Sequence, residues 1–200
     1  MDDIVKQAMA KWPNVPYCYG WLALDARGNW RMRDERAQHL SLPGDKLANA
    51  ALMGFIVRNY LRDERGCWYF QNGPQRVYVN LETTPFVART DPAHGFVLHT
   101  GAPLDGIEAA FITEAGELIF QAADVVAQLD DRDAAQALAT LASEGKPVAD
   151  EALLAWLEDG GPLAPALPVA GRLVPLQRLA RDDVPARFGF ERIPTASSAT

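Results

Sequence analysis

The stretch from Gly66 to Val87, GCWYFQNGPQRVYVNLETTPFV, constrains the fold more than any other part of the sequence. Apolar and polar residues alternate on both sides of a tight turn, placed either at Asn72-Gly73 or over residues 72–75, which predicts an antiparallel hairpin. In either register one face is apolar and carries Trp68, Phe70, Val77, Val79 and Leu81. The opposite face carries Tyr69, Gln71, Arg76, Tyr78 and Asn80. The hairpin therefore predicts a sheet with one core face and one polar face.

A second hairpin is predicted in WLALDARGNWRMR, residues 21–33, with a type I turn over residues 25–28 and Gly28 in the left-handed conformation. Pairing outward from the turn gives four cross-strand pairs: Leu24 with Trp30, Leu22 with Met32, Ala23 with Arg31, and Trp21 with Arg33. Two pairs are apolar and two carry arginine, a division typical of a half-buried hairpin.

Apolar residues run nearly all the way round the segment 46–61, which predicts a buried helix capped by Asp45. Further helices are predicted at 3–11, 122–142 and 150–158, the last capped by Asp150. A strand at 96–99 and a third hairpin over 109–122 complete the regular elements. Both faces of that third hairpin are apolar, so we expect it to lie deeper.

These elements predict an α+β protein in which antiparallel, hairpin-based sheets pack on a buried central helix, followed by a C-terminal helical segment and an extended strap. We expect an N-terminal α+β unit over 1–90 and the third hairpin with acidic helices over 91–160. A Pro/Gly-rich strap follows over 161–194, and a disordered tail over 195–200. An acid or Thr, two residues and then Gly recur at Asp25, Asp63 and Thr113. Internal duplication explains this pattern, and so do three independent turns.

The formal net charge of −7 is concentrated in residues 105–159, which hold 13 acidic and 2 basic residues. Bulk acidity argues against a nucleic acid polymer as partner. That acidic segment is either a solvated face or a surface for another protein. No apolar run is long enough to span a membrane, and the N-terminus lacks the layout of a signal peptide. Cys18 and Cys67 are expected to be free thiols, so we expect a cytoplasmic protein.

The polar face of the central hairpin is the candidate for function. Arg76, Tyr78, Gln71 and Tyr69 combine a guanidinium with amide and aromatic groups, which together bind planar or anionic ligands. Arg31, Arg33 and Trp21 would join this site if the polar faces of the two hairpins meet. The alternative is that the two tyrosines stabilise the sheet as cross-strand partners without any ligand.

Signatures of catalysis are missing from the sequence: it contains no Gly-x-Ser-x-Gly, no phosphate-binding loop and no metal-ligand spacing around His39, His94 or His99. We therefore expect no cofactor, no metal and no catalytic constellation.

Three segments, WPNVPYCYGWLALDARGNWRMRDE, WYFQNGPQRVYVNLETTPFV and RFGFERIP, resemble an uncharacterised bacterial family classified as a domain of unknown function. The resemblance covers nearly the whole chain. The stretch VYVNLETTPFV is also similar to a second family of unknown function, described as a duplicated α+β core with a pleckstrin-homology-like second unit. That similarity implies a nucleotide-type ligand at the junction of the two units.

Together these observations favour a non-enzymatic module that binds or senses a small anionic molecule, with a nucleotide-like compound as one candidate. A protein-interaction adaptor that uses the acidic segment 105–159 is the alternative. An enzyme without a recognisable motif is the third hypothesis.

Overall fold

A computed structural model describes residues 1–196 and divides the chain into two compact units. The first comprises Met1–Pro85 together with the chain from Gly189 onward, and the second comprises Phe86–Phe188. Each unit combines a sheet with short helices, so the predicted α+β class is confirmed. No helix within residues 1–196 has the length and apolar character needed to cross a membrane.

The first unit is a six-stranded sheet with three helices. Its helices are α1 (Asp3–Lys11), α2 (Glu35–His39) and α3 (Ala50–Arg58), and its strands are β1 (Cys18–Leu24), β2 (Trp30–Met32), β3 (Asp45–Lys46), β4 (Tyr60–Arg62), β5 (Trp68–Asn72) and β6 (Gln75–Leu81). The strand order is β3-β2-β1-β6-β5-β4. Strands β1 and β6 run parallel, so the sheet is mixed and not purely antiparallel as predicted.

Both predicted hairpins of this unit form in the predicted register. In the first, Leu22 pairs with Met32, Ala23 with Arg31 and Leu24 with Trp30. In the central hairpin Tyr69 pairs with Tyr78, Phe70 with Val77, Gln71 with Arg76 and Asn72 with Gln75, which is the second of the two predicted turns. The parallel pairing of Ala23 with Asn80 places the polar faces of the two hairpins on the same side of one sheet.

The prediction of a buried central helix over 46–61 is wrong in both extent and burial. Helix α3 begins after Asn49, whose side chain accepts a hydrogen bond from the Leu52 N–H at 3.0 Å, and residues 45–46 form β3 instead. Ile56 is buried, whereas Leu52 is exposed. Phe55 packs edge-on against Phe70 at 5.3 Å between ring centroids. One face of the helix therefore packs on the sheet, and the other faces solvent.

The second unit is built on a nine-stranded sheet, in the order β13-β12-β14-β15-β9-β10-β11-β7-β8. Its strands are β7 (Phe86–Asp91), β8 (Gly95–Leu98), β9 (Ala109–Ile112), β10 (Leu118–Ala122), β11 (Val125–Leu129), β12 (Ala142–Ser143), β13 (Lys146–Pro147), β14 (Ala166–Val169) and β15 (Arg172–Arg178). Its helices are α4 (Asp131–Leu138), α5 (Asp150–Asp159) and α6 (Val184–Phe188). The β9–β10 hairpin is buried on both faces, as predicted.

The predicted helix over 122–142 is wrong, because its first half is strand β11. Ala123 takes a left-handed conformation, φ 48°, which turns the chain tightly after β10, and the β-branched Val125 and Val126 then favour a strand. Helix α5 forms where predicted, although its N-cap position is Ala149 and not Asp150.

The predicted strap over 161–194 is wrong over residues 166–178, which form the paired strands β14 and β15 within the sheet. Of the predicted tail, residues 195–200, the last four lie outside the described residues.

The turn pattern noticed at Asp25, Asp63 and Thr113 is one recurring structure. In each case the glycine three residues later donates its N–H to the carbonyl of the first residue, at 3.0, 3.1 and 2.9 Å. The three glycines have φ of 76°, 81° and 80°, the left-handed region that other residues adopt only with strain. The common turn is therefore confirmed, and an internal duplication stays a prediction.

Gly66 is more constrained than Gly116, since a Cβ at Gly66 would lie 2.2 Å from the Gly189 carbonyl oxygen. At Gly116, with the same backbone conformation, a Cβ would meet no atom within 4 Å. We predict that Gly116→Ala lowers the free energy of unfolding by about 1 kcal/mol, the cost of the left-handed conformation alone. Gly66→Ala should lower it by about 3 kcal/mol, because the methyl group also displaces a backbone carbonyl. Urea denaturation of both variants measures the difference, and equal losses would contradict the close approach.

Candidate functional site

A cleft of about 600 Å³ opens on the polar face of the central hairpin, within the first unit. Its walls come from the start of β1, the β4–β5 turn, the β5–β6 hairpin and the chain after Gly189. The lining residues are Tyr17, Tyr19, Arg62, Asp63, Glu64, Arg65, Tyr69, Arg76, Tyr78 and Ala196. The volume falls within the range of about 300–1,000 Å³ that is usual for small-molecule sites.

Four tyrosines form the aromatic part of the cleft, with Tyr78 at the centre and only 1% exposed. Tyr19 stacks on it with centroids 4.6 Å apart and planes 3° from parallel. Tyr69 and Tyr17 contact the same ring at 5.6 and 5.9 Å. Tyr17 is 51% exposed, so one ring of this cluster is open to solvent. The packing depends on a register shift of β1 against β6 between Cys18 and Leu22, which spans Tyr19.

The Asp63 carboxylate links the β4–β5 turn to the hairpin. Its Oδ2 accepts a hydrogen bond from the Tyr78 hydroxyl at 2.9 Å, and its Oδ1 accepts the backbone N–H groups of Arg65 and Cys67 at 3.0 and 2.9 Å. Burial opposes ionisation of this carboxyl, but the hydrogen bonds outweigh it and lower the pKa of Asp63. Asp63 is therefore an ionised anchor of the cleft wall.

The Arg76 guanidinium contacts two aromatic rings of the cleft. Its guanidinium carbon lies over the Tyr69 ring at 4.6 Å and over the Tyr17 ring at 5.3 Å. Among residues 1–196, no carboxylate forms an ion pair with it. Burial opposes the charge, yet the hydrogen bond with the Tyr78 hydroxyl raises the pKa of Arg76. The contacts with the rings leave in-plane N–H donors for an oxyanion.

Two further arginines line the cleft: Arg65 pairs with the Asp63 carboxylate, and Arg62 has a backbone carbonyl as its partner. Arg65 Nη1 donates to the Thr195 carbonyl at 3.2 Å, its Nε lies 3.4 Å from Asp63 Oδ2, and its guanidinium carbon lies 5.6 Å from the Tyr78 ring centroid. Arg62 donates to the Gly189 carbonyl. With Glu64 exposed at the rim, the lining holds three guanidinium groups against two carboxylates. The cleft therefore carries an excess of positive charge in an acidic protein.

The structure brings Arg76, Tyr78 and Tyr69 together as predicted candidates and places the other four elsewhere. Gln71 is buried, and its Nε2 donates to the Gly73 carbonyl at 2.8 Å. Trp21 is 39% exposed and lines neither this cleft nor the next one.

Arg31 and Arg33 line a separate cleft of about 470 Å³ in the same unit. Arg31 pairs with Asp25 at 2.7 Å and donates to the Gly44 carbonyl at 3.1 Å, and Arg33 donates to the Leu42 carbonyl at 3.0 Å. Both arginines thus connect the hairpin to the loop that follows it. The two polar faces share one side of the sheet, yet they do not form one site.

Sequence reasoning missed the residues that close the cleft opposite Arg76: Tyr17, Tyr19, Asp63 and Arg65. The signals were present, because Asp63 and Arg65 belong to the recurring turn and the two tyrosines flank Cys18 in PYCYG. What the sequence did not show is that parallel pairing of β1 with β6 brings these segments to the same place.

These features define an α+β protein with a tyrosine- and arginine-lined cleft. The chain belongs to the family DUF2944, whose model, described as "Protein of unknown function (DUF2946)", matches residues 1–195. The predicted membership in a family of unknown function is thereby confirmed. No curated protein matches the sequence.

Two solved structures resemble this chain. A DUF1285 family protein from Silicibacter pomeroyi DSS-3 is 14% identical, and the match covers 86% of each chain with a TM-score of 0.48. A DUF1285 family protein from Shewanella baltica OS155 is 12% identical, and the match covers 56% of this chain and 86% of that one with a TM-score of 0.39. These findings agree with the expected distant similarity to a second family, and they carry no inference about the site.

Within residues 1–196, no group of three or more His, Cys, Asp or Glu side chains is placed to hold a metal ion.

We predict that Asp63→Asn destabilises the protein in a pH-dependent way. A carboxyl whose pKa is lowered by folding stabilises the native state above its unfolded pKa of about 3.9, and this contribution is lost as the pH falls through the lowered folded value. At pH 7 the free energy of unfolding of Asp63→Asn should be about 1–3 kcal/mol lower than that of wild type, since the variant loses charge-assisted hydrogen bonds. The difference should shrink as the pH falls below about 4.

Urea denaturation at pH 7, 4 and 3 measures this difference, with Asp45→Asn, an exposed position on β3, as the matched control. A gap between wild type and Asp63→Asn that stays constant across these pH values would contradict an ionised, stabilising Asp63.

Proposed function

We propose that this protein is a non-enzymatic cytoplasmic module that binds or senses a small anionic molecule with a planar group, and that the tyrosine–arginine cleft is its site. A nucleotide-like compound is one candidate ligand. The observation that carries the proposal is Arg76, a half-buried guanidinium that lies against Tyr69 and Tyr17 and has no carboxylate partner among the described residues.

The contrast with Arg31 supports a ligand role for Arg76. Arg31 has a carboxylate and a backbone carbonyl as partners, which neutralise its charge and give it a structural role. A partly desolvated charge without such a partner is costly unless something else neutralises it. An oxyanion that accepts two parallel N–H groups of Arg76 would satisfy both its charge and its geometry.

The open ring of Tyr17 supports a ligand with a planar group. One side of Tyr17 contacts Arg76, and about half of the residue remains exposed at the cleft. A planar group stacked there would lie next to the guanidinium, and pairs of aromatic groups contribute about 0.5–1.5 kcal/mol beyond the area they bury. Charge and stacking would thus act on a single small ligand.

The chemistry of the remaining groups favours binding over catalysis. Asp63 accepts three hydrogen bonds and its pKa is lowered, so it is a poor proton donor at neutral pH. Cys67 is buried, and burial raises the pKa of its thiol, which disfavours the reactive thiolate. The adaptor hypothesis for residues 105–159 stays a prediction, since no observation here favours it.

A thermal-shift screen tests the proposal, using nucleoside mono-, di- and triphosphates and aromatic carboxylates with wild type, Arg76→Ala and Arg33→Ala. A ligand at about 100 times its dissociation constant should stabilise the wild type by about 2.7 kcal/mol. Arg76→Ala should weaken binding at least about tenfold, since it removes a charge-assisted contact worth about 1.5–3 kcal/mol. Arg33→Ala, in the separate cleft, should leave binding unchanged.

Two results would overturn the proposal: the absence of a shift with every compound, or equal ligand-induced shifts in wild type and Arg76→Ala. Loss of binding in Arg33→Ala alone would move the site to the other cleft.

A further inference from the structure

We infer that the ligand of this cleft is an aromatic carboxylate, bound as a monoanion through both of its carboxylate oxygens by Arg76. The inference rests on the proposed function and goes further, because it assigns the charge and the chemical class of the anionic group. It also narrows the candidates, since a cleft of this kind selects a planar carboxylate over the phosphate of a nucleotide-like compound.

The charges of the cleft differ in how far they are already compensated. Arg65 forms an ion pair with the Asp63 carboxylate, with its Nε 3.4 Å from Oδ2. Arg62 and Glu64 have opposite charges and are both exposed, so water screens them. Arg76 is half-buried, and no carboxylate within residues 1–196 forms an ion pair with it. The cleft therefore presents one partly desolvated, uncompensated cation to a ligand.

One uncompensated cation favours an anion with one charge. The cost of removing an ion from water rises with the square of its charge, so a dianion costs about four times as much as a monoanion of equal size. Its attraction to a single cation only doubles. The Asp63 carboxylate adds to this difference, because hydrogen bonds that outweigh its burial lower its pKa and keep it ionised in the same cleft. Asp63 therefore repels a second negative charge on the ligand.

The surroundings of Arg76 favour a planar anionic group over a tetrahedral one. The guanidinium carbon lies 4.6 Å from the Tyr69 ring centroid and 5.3 Å from that of Tyr17. A carboxylate accepts two parallel N–H groups of a guanidinium in one plane. A phosphate or sulfonate holds a third oxygen out of that plane, where the neighbouring groups are aromatic faces of negative potential. The exposed part of Tyr17 then remains for the aromatic ring of the ligand.

Four probes that share a phenyl ring separate charge from shape. Benzoate is a planar monoanion, benzenesulfonate a tetrahedral monoanion, phenyl phosphate a dianion at pH 7.5, and benzamide a neutral planar group. Affinities are measured at pH 7.5 by NMR or calorimetric titration with wild type, Arg76→Lys, Arg76→Ala and Arg33→Ala. Urea denaturation of each variant verifies folding.

We expect wild type to bind benzoate at least about fivefold more tightly than benzenesulfonate and phenyl phosphate, and at least about tenfold more tightly than benzamide. Arg76→Lys keeps the charge but loses the planar pair of donors, so benzoate should lose its preference over benzenesulfonate and keep its preference over benzamide. Arg76→Ala should bring the affinity for benzoate to within about twofold of that for benzamide. Arg33→Ala, in the separate cleft, should reproduce the order seen with wild type.

Binding of phenyl phosphate or benzenesulfonate as tight as that of benzoate in wild type would overturn the carboxylate inference and leave the proposed function standing. A preference for benzoate over benzenesulfonate that survives in Arg76→Lys would do the same. Failure of wild type to bind any of the four probes, together with no shift in the nucleotide screen, would overturn both. Benzoate binding that is unchanged in Arg76→Ala would also overturn both, since each depends on Arg76.

Discussion

The hydrogen bond from the Tyr78 hydroxyl to the Asp63 carboxylate, 2.9 Å long, is the contact on which the cleft depends. Asp63 is fixed by the turn that ends at Gly66, and Tyr78 is fixed by the register of the central hairpin. Because the hydroxyl donates to Asp63, it can act only as an acceptor toward the nearby guanidinium groups of Arg65, 5.6 Å from its ring, and Arg76, 4.6 Å from the Tyr69 ring. The neutral Tyr78 hydroxyl thus lies between the buried Asp63 carboxylate and the two arginine side chains of the cleft.

The same contact explains why the polar face of the central hairpin is not simply exposed to solvent. Tyr69 and Tyr78 do pair across the strands, as the alternative without a ligand required, and this contact stabilises the sheet. However, Tyr19 covers Tyr78 from a neighbouring strand, and Arg76 lies over Tyr69. The structural and the ligand interpretations of the two tyrosines are therefore compatible: the buried rings form the floor, and Tyr17 and Arg76 form the accessible part.

Local patterns predicted local structure well in this chain. Alternation fixed the pairings Tyr69–Tyr78 and Ala23–Arg31, and the recurring turn placed Gly28, Gly66 and Gly116 in the left-handed region. Prediction failed for two helix boundaries: Asn49 caps α3 later than Asp45 would, and residues 125–129 form a strand within the helix predicted over 122–142. For the site, sequence identified Arg76 and its two tyrosines, but parallel pairing of distant strands was needed to add Tyr19 and to separate Arg31 from Arg76.

A double-mutant cycle on Asp63 and Tyr78 tests the central claim most directly. The free energy of unfolding is measured for wild type, Asp63→Asn, Tyr78→Phe and the double variant at pH 7. If the hydroxyl and the carboxylate act as one unit, the two losses are not additive and the coupling energy is about 1–3 kcal/mol. Additive losses, with a coupling energy near zero, would contradict the claim that this contact organises the cleft.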